Sequence, residues 1–207
     1  MALIDSTYFV NEINLPSDNL ANIDSYITLY QEEILRKLLG YELLEALEND
    51  LDVNGEPQSQ RFIDLVNGAE FSFDFCGDTI NEKWEGLRGI NFKSLIAYYT
   101  YYRYRENTDT FFDGAGQIEP NHENSVNGDA IPKLVSVWNK MIDLYGDFHW
   151  CECYLPNYSP SLILLRDSQT YIHLNDYPSA YNFLLANRTN YPEWVFKPIR
   201  KLNQYGI

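Results

Sequence analysis

A mainly α fold, a small helical bundle with a short β-hairpin and an extended, aromatic-rich C-terminal segment, is predicted by three features of the sequence. Apolar residues recur at three- and four-residue spacing through residues 22–48 and again through 131–145. Between them lies one alternating run, Ala69–Phe75. After Gly146, Pro156, Pro160, Pro178, Pro192 and Pro198 cut the chain into short pieces. The first pattern suits amphipathic helices, the second a half-buried strand, and the third neither.

Taken in order, residues 1–21 read as an irregular arm broken at Pro16-Ser17-Asp18. A helix is expected from Asn22 or Asp24 to Glu48, striped by Ile23, Ile27, Tyr30, Ile34 and Leu38, with Gly40 as a point of division. The loop Asn49–Pro57 leads to a short helix, Gln58–Val66, stopped at Asn67-Gly68. A hairpin pairs Ala69–Phe75 with Lys83–Leu87 across the turn-rich Gly77-Asp78. The helix predicted over Asn91–Arg105 is apolar on nearly every side, as a central, wrapped helix must be. A polar loop spans Asn107–Gly128. Asp129 is the expected N-cap of a helix that ends at Tyr145-Gly146. Two strands, Ser161–Leu165 and Thr170–Leu174, and a helical turn at Ala180–Ala186 follow. All this makes one domain: a helical core with its arm over 1–150, and a C-terminal segment over 151–207 that packs on the core or on a neighbour.

Composition narrows the function. The 207 residues carry a net charge of −15, and 15% of them are aromatic, with 17 Tyr. A protein that holds nucleic acid by affinity needs a basic footprint that releases counterions, and this chain has the opposite balance. No run of about 18 apolar residues occurs, and Met1–Thr7 lacks a basic, apolar leader, so neither a membrane span nor a secretory signal is expected. Three cysteines, Cys76, Cys151 and Cys153, suit a reducing interior.

Two constellations suggest metals and then fail on their spacing. Asp50, Asp52, Asn54 and Glu56 match the first half of an EF-hand loop between two helices. The twelfth position, which must supply a bidentate carboxylate, is Arg61, so a solvated acidic turn is expected instead. His149, Cys151 and Cys153 would share a strand face, but zinc knuckles use Cys-x-x-Cys, and a fourth ligand would have to come from Cys76, His122 or His173. Neither metal nor cofactor is expected. Gly114-Ala-Gly116 lacks the strand and helix of a phosphate cradle, and no nucleophile elbow, metalloprotease helix or Walker sequence occurs. No enzyme is expected.

The tail aromatics Tyr181, Phe183, Tyr191, Trp194 and Phe196 sit among prolines with few aliphatic neighbours. They read as docking residues for the chain's own domain or, as an interface, for a partner. The carboxylates Asp109, Asp113, Glu119, Glu123 and Asp129 fall in a stretch without Lys or Arg. On their own they read as acids that keep a loop solvated.

A set of weak motifs then appears in a recognisable order: Leu38-Leu-Gly40-Tyr-Glu-Leu-Leu44, Arg61–Gly68, Trp84-Glu-Gly-Leu87, the Tyr-rich Ser94–Arg105, Glu123-Asn-Ser125, Val137-Trp-Asn-Lys140, Tyr191–Phe196 and Asn203–Ile207. This order resembles the head–tail connector (adaptor) proteins of tailed bacteriophages, in particular those of Bacteroidetes and crAss-like phages. Cys151–Leu174 lies outside the pattern, as an insertion would. The resemblance implies a structural virion protein of the neck, assembled in the bacterial host cytoplasm. Its copies would form a homo-oligomeric ring, commonly a dodecamer, that joins the portal protein to neighbouring tail proteins. Genome DNA would pass through the lumen without specific binding, past a wall to which Asp109, Asp113, Glu119, Glu123 and Asp129 would contribute. From another class, an aromatic-rich carbohydrate-binding module would share the composition, and a hydrolase using paired carboxylates such as Glu32-Glu33 stands further off.

Overall fold

The computed structural model describes residues 2–16, 20, 22–75, 78–108, 111–113, 116–118, 131–146, 179–197 and 199–202. They form a mainly helical core with an antiparallel two-stranded hairpin. The first long pattern becomes two helices, α1 (Ile23–Leu39) and α2 (Tyr41–Asp50). Gly40 divides them at φ 78° and ψ 174°, a conformation open only to glycine. A Cβ there would lie 3.0 Å from the Val195 Cβ and 3.1 Å from the Val195 carbonyl oxygen.

Helix α3 (Gln60–Asn67) starts two residues later than expected and buries Phe62, Leu65 and Val66. Strands β1 (Ala69–Phe75) and β2 (Asp78–Trp84) pair from Ala69↔Trp84 to Phe75↔Asp78. The second strand therefore begins five residues before the expected Lys83–Leu87 and shares only Lys83 and Trp84 with it. Thr79 and Ile80 extend the ladder, and Gly86 (φ 87°) then turns the chain inward. There the Leu87 and Arg88 amides donate to the Leu65 and Val66 carbonyls at 3.1 Å.

Helix α4 (Leu95–Thr108) lies between α1 and α5 (Ile131–Tyr145), its two most extensive packing partners. Its buried residues run unbroken from Leu95 to Tyr101, which accounts for the missing polar stripe. It begins at Leu95 instead of Asn91 for a visible reason. Asn91 and Phe92 adopt left-handed backbone (φ 56° and 64°), and the buried Ser94 hydroxyl accepts from the Ile96 amide while donating to the Leu87 carbonyl at 2.7 Å.

The polar loop after α4 is shorter than expected. The helix continues to Thr108, and β3 (Phe111–Asp113) pairs with β4 (Gly116–Ile118). Aromatic and aliphatic residues either side of a Gly-Ala-Gly run are a hairpin pattern that the polar composition of the stretch obscures. The expected strands at Ser161–Leu165 and Thr170–Leu174 lie outside the described residues, as does the Asp129 cap.

The described residues of the arm form two 3-10 turns, Ser6–Tyr8 and Asn11–Ile13, and pack firmly. Leu3, Ile4, Phe9, Ile13 and Leu15 are buried, and the Leu3 amide donates to Gln31 Oε1 at 2.7 Å. The Glu12 carboxylate joins three elements, accepting from the Tyr98 hydroxyl and from Lys140 at 2.8 Å. Among the described residues, no helix is long and apolar enough to cross a membrane.

Candidate functional site

The C-terminal aromatics were the first candidates for an interface, and the structure places most of them in the chain's own core. Helix α6 (Ala180–Ala186) is capped by the Ser179 hydroxyl, which accepts from the Asn182 amide. It carries Phe183 between Trp84 (ring centroids 6.1 Å apart), Phe71 (5.6 Å) and Tyr191 (5.9 Å). Phe183, Tyr191 and Trp194 are each at most 2% exposed. Tyr181 and Phe196 are half-buried against the same core, with rings 4.6 Å apart. The interface reading of Phe183, Tyr191 and Trp194 is thus corrected: buried rings have no surface to offer a partner. The prolines that prevent this segment from folding alone do not prevent it from lying as an extended strap on the helices.

Backbone hydrogen bonding explains why the strap sits where it does. A helix leaves its last carbonyls without internal partners. Trp194 Nε1 donates to the Leu38 carbonyl at 2.7 Å, the Val195 amide to Leu39 at 3.2 Å, and the Lys197 amide to Lys37 at 3.0 Å. The strap therefore caps α1, and Gly40 leaves room for Val195. Farther along, α5 holds it in turn. Tyr145 donates to the Lys197 carbonyl, Trp138 Nε1 to the Arg200 carbonyl at 2.8 Å, and the Asn139 amide group exchanges two bonds with Leu202 at 2.9 and 3.0 Å.

The half EF-hand closes on itself. Asp52 Oδ1 accepts from the amides of Asn54 (2.8 Å) and Glu56 (2.9 Å), and Asp50 Oδ2 accepts from Gln58 (2.8 Å) and Ser59 (2.9 Å), just ahead of α3. Backbone amides from Glu56 and Asn54 hold the Asp52 carboxyl below its ordinary range. Burial works against ionisation of Asp50, but the amides of Ser59 and Gln58 outweigh it and lower its pKa as well. Arg61 turns away to the strap, meeting the Asn190 carbonyl at 3.1 Å and Glu193 at 3.2 Å, while the Tyr191 hydroxyl donates to the Arg61 carbonyl. These oxygens act as turn and cap acceptors.

His149, Cys151, Cys153, Cys76, His122 and His173 lie outside the described residues. So do Asp109, Glu119, Glu123 and Asp129 and the side chain of Asp113, whose backbone belongs to β3. Among the described residues, no group of three or more His, Cys, Asp or Glu is placed to hold a metal ion.

Two features were missed in the sequence. Arg88 is a hub: it donates to the Leu3 carbonyl (3.0 Å), the Gly55 carbonyl (3.0 Å), Asn67 (3.1 Å) and both Glu56 oxygens (2.7 and 2.9 Å). Directly after it, the turn Gly89–Lys93 presents Ile90 and Phe92 to solvent, and Phe92 meets the edge of Tyr8 at 5.5 Å. Gly86 and Gly89 were the only visible signal for either. Compared with family models, curated proteins and solved structures, the chain matches none. A second internal network completes the picture. Glu33 receives Tyr99 at 2.7 Å and Lys37 at 2.8 Å, and burial together with the Glu33 charge pushes the Tyr99 phenol far up. Carboxylates and phenols held in this way fix helices to one another.

Proposed function

We propose that this chain is a structural subunit of a tailed-bacteriophage virion, a head–tail connector (adaptor) protein whose copies surround the DNA passage between portal and tail. The observation that carries this reading is where the ordered motifs fall. Leu38 and Leu39 end α1 at its Gly40 break, Arg61–Gly68 is α3 and its glycine cap, and Trp84 closes the hairpin. The Tyr-rich motif is the central helix, Val137-Trp138 lies on α5, and Trp194 caps α1. Residues far apart in sequence thus meet in one core of the kind the resemblance implies. The charge of −15 also suits a wall past which DNA slides hydrated.

A carbohydrate-binding module would need open aromatic faces. Of the tail rings that suggested such a module, Phe183, Tyr191 and Trp194 are turned inward, and the open depression on the hairpin, lined by Glu70, Phe71, Ser72, Asn81, Glu82 and Lys83, has its one ring only 8% exposed. The test of the connector reading is mass spectrometry and cryo-electron microscopy of purified particles. Peptides of this chain in fixed ratio to the portal protein, with ring density at the neck, are expected. Absence from washed particles would contradict the reading.

A further inference from the structure

We propose that Asn54 is a site of spontaneous covalent modification, at which the side-chain amide is lost and the aspartate or isoaspartate formed loosens the hold of Arg88 on the N-terminal arm. Three Asn-Gly pairs occur in the chain, Asn54-Gly55, Asn67-Gly68 and Asn127-Gly128, the last outside the described residues. A glycine after asparagine leaves its backbone nitrogen open to approach, because no Cβ shields it. That nitrogen attacks the asparagine Cγ. The N–Cγ bond forms, the Cγ–Nδ2 bond breaks, and ammonia departs with the proton of the glycine amide. Water then opens the succinimide ring at either carbonyl, giving aspartate or isoaspartate, so solvent is the one co-reactant.

The structure separates the two described pairs. Asn67 ends α3, where the Gly68 amide donates to the Asp64 carbonyl at 3.0 Å and Arg88 holds Asn67 Oδ1 at 3.1 Å. A Cβ at Gly68 would lie 2.4 Å from the Trp84 carbonyl oxygen, so helix and hairpin must part before the Gly68 nitrogen can turn to its neighbour's side chain. Asn54 lies in an exposed turn whose bonds centre on one residue. Asp52 accepts from the Gly55 amide at its carbonyl (3.0 Å) and from the Asn54 and Glu56 amides at Oδ1 (2.8 and 2.9 Å). Its own amide donates to the Glu56 carbonyl at 2.9 Å. Among the described residues, the Asn54 side chain meets Asp52 Oδ2 alone, at 3.4 Å. Opening this turn uncovers little apolar surface, since Val53 is already 86% exposed. Local opening of that kind costs far less than parting a helix from the core.

The product is felt at Arg88. Isoaspartate adds a methylene to the main chain directly before Gly55, whose carbonyl accepts from Arg88 Nη2 at 3.0 Å. The same guanidinium donates through Nε to the Leu3 carbonyl at 3.0 Å. Displacing Gly55 therefore loosens the group that ties down the arm, and either product adds a carboxylate beside Asp52 and Glu56.

The experiment stores the full chain in warm, mildly alkaline buffer, with peptide mapping by mass spectrometry and melting temperature measured on the same samples at intervals. Asn54 is expected to deamidate about tenfold or more faster than Asn67, the ratio that a difference of about 1.4 kcal/mol in opening free energy gives. Asp52→Ala removes the two amide bonds at Oδ1, and should speed the reaction at Asn54 severalfold while leaving Asn67 unchanged. The aged wild type should melt roughly 2–4 °C below the fresh protein. Asn54→Gln, whose longer side chain closes a ring far more slowly, should keep its melting temperature over the same storage. An unreacted Asn54, equal rates at Asn54 and Asn67, or no acceleration in Asp52→Ala would overturn the site. A reacted Asn54 with an unchanged melting temperature, or an equal loss in Asn54→Gln, would overturn its link to Arg88.

Discussion

Replacing Trp194 with alanine tests the capping strap at its deepest point. The indole is 2% exposed and lies among Tyr181 (5.5 Å), Phe196 (6.0 Å) and the Arg188 guanidinium (5.1 Å). Removing so large a buried ring costs about 3–5 kcal/mol in transfer and cavity terms. The Leu38 carbonyl also loses its 2.7 Å donor at a helix end, which adds about 1 kcal/mol if water enters in its place. A total of about 4–6 kcal/mol approaches the whole stability of many domains, roughly 5–15 kcal/mol. Trp194→Phe retains most of the packing and isolates the lost hydrogen bond, so about 1–3 kcal/mol is expected. Urea unfolding followed by circular dichroism measures both, since it does not rely on the indole that is being removed. A Trp194→Ala midpoint within about 0.5 kcal/mol of wild type would show that the strap is peripheral and that the capping argument is wrong.

Arg88→Ala should destabilise by about 2–3 kcal/mol, because one guanidinium ties the arm, the 50–56 loop and α3 together; equal unfolding midpoints would remove its hub role. Acid should destabilise the fold. Hydrogen bonds from Lys140 and Tyr98 hold Glu12 below its ordinary 4.5, and Arg88 does the same for Glu56. Burial opposes ionisation of Glu33, but Lys37 and Tyr99 outweigh it, leaving its pKa lowered too. A group with a depressed folded pKa contributes its stability above the unfolded value and loses it as pH falls through the folded one. Melting temperature should therefore be level from pH 7 to about 5.5 and fall below about 4.5, with a shallower fall in Glu12→Gln; a rise on acidification would reverse the assigned signs. Millimolar calcium should leave the melting temperature unchanged, since Asp50 and Asp52 already serve backbone amides; a shift of several degrees would show that the half-motif binds.

The parts of this architecture legible in the sequence were those set by local periodicity. The stripes of α1 and α5, the all-round apolar α4 and the aromatic alternation of β1 each reflect one element meeting the core. Gly40 was visible as a break, but not its reason, which is Val195 arriving from 155 positions away (195 − 40). The tail could be read as needing something to dock on. Whether that was a neighbour or the carbonyl end of its own α1 depends on tertiary placement that no window of sequence contains. The start of α4 was misplaced because Asn91 and Phe92 are forced into left-handed backbone by their surroundings, where local preference would continue the helix. For the same reason the exposed apolar turn Gly89–Lys93 escaped notice, while the tail aromatics drew attention to residues of which Phe183, Tyr191 and Trp194 prove to be buried.

Native-state hydrogen exchange of the dilute, monomeric protein tests most directly the claim that the C-terminal strap belongs to the subunit's own core. The amides of Val195 and Lys197, bonded to the α1 carbonyls of Leu39 and Lys37, are the reporters. They are expected to exchange as slowly as the amides of α4, opening only with the whole fold. Exchange at unprotected rates in the monomer, with protection appearing only on assembly, would contradict the account and return the segment to the role of an intermolecular arm.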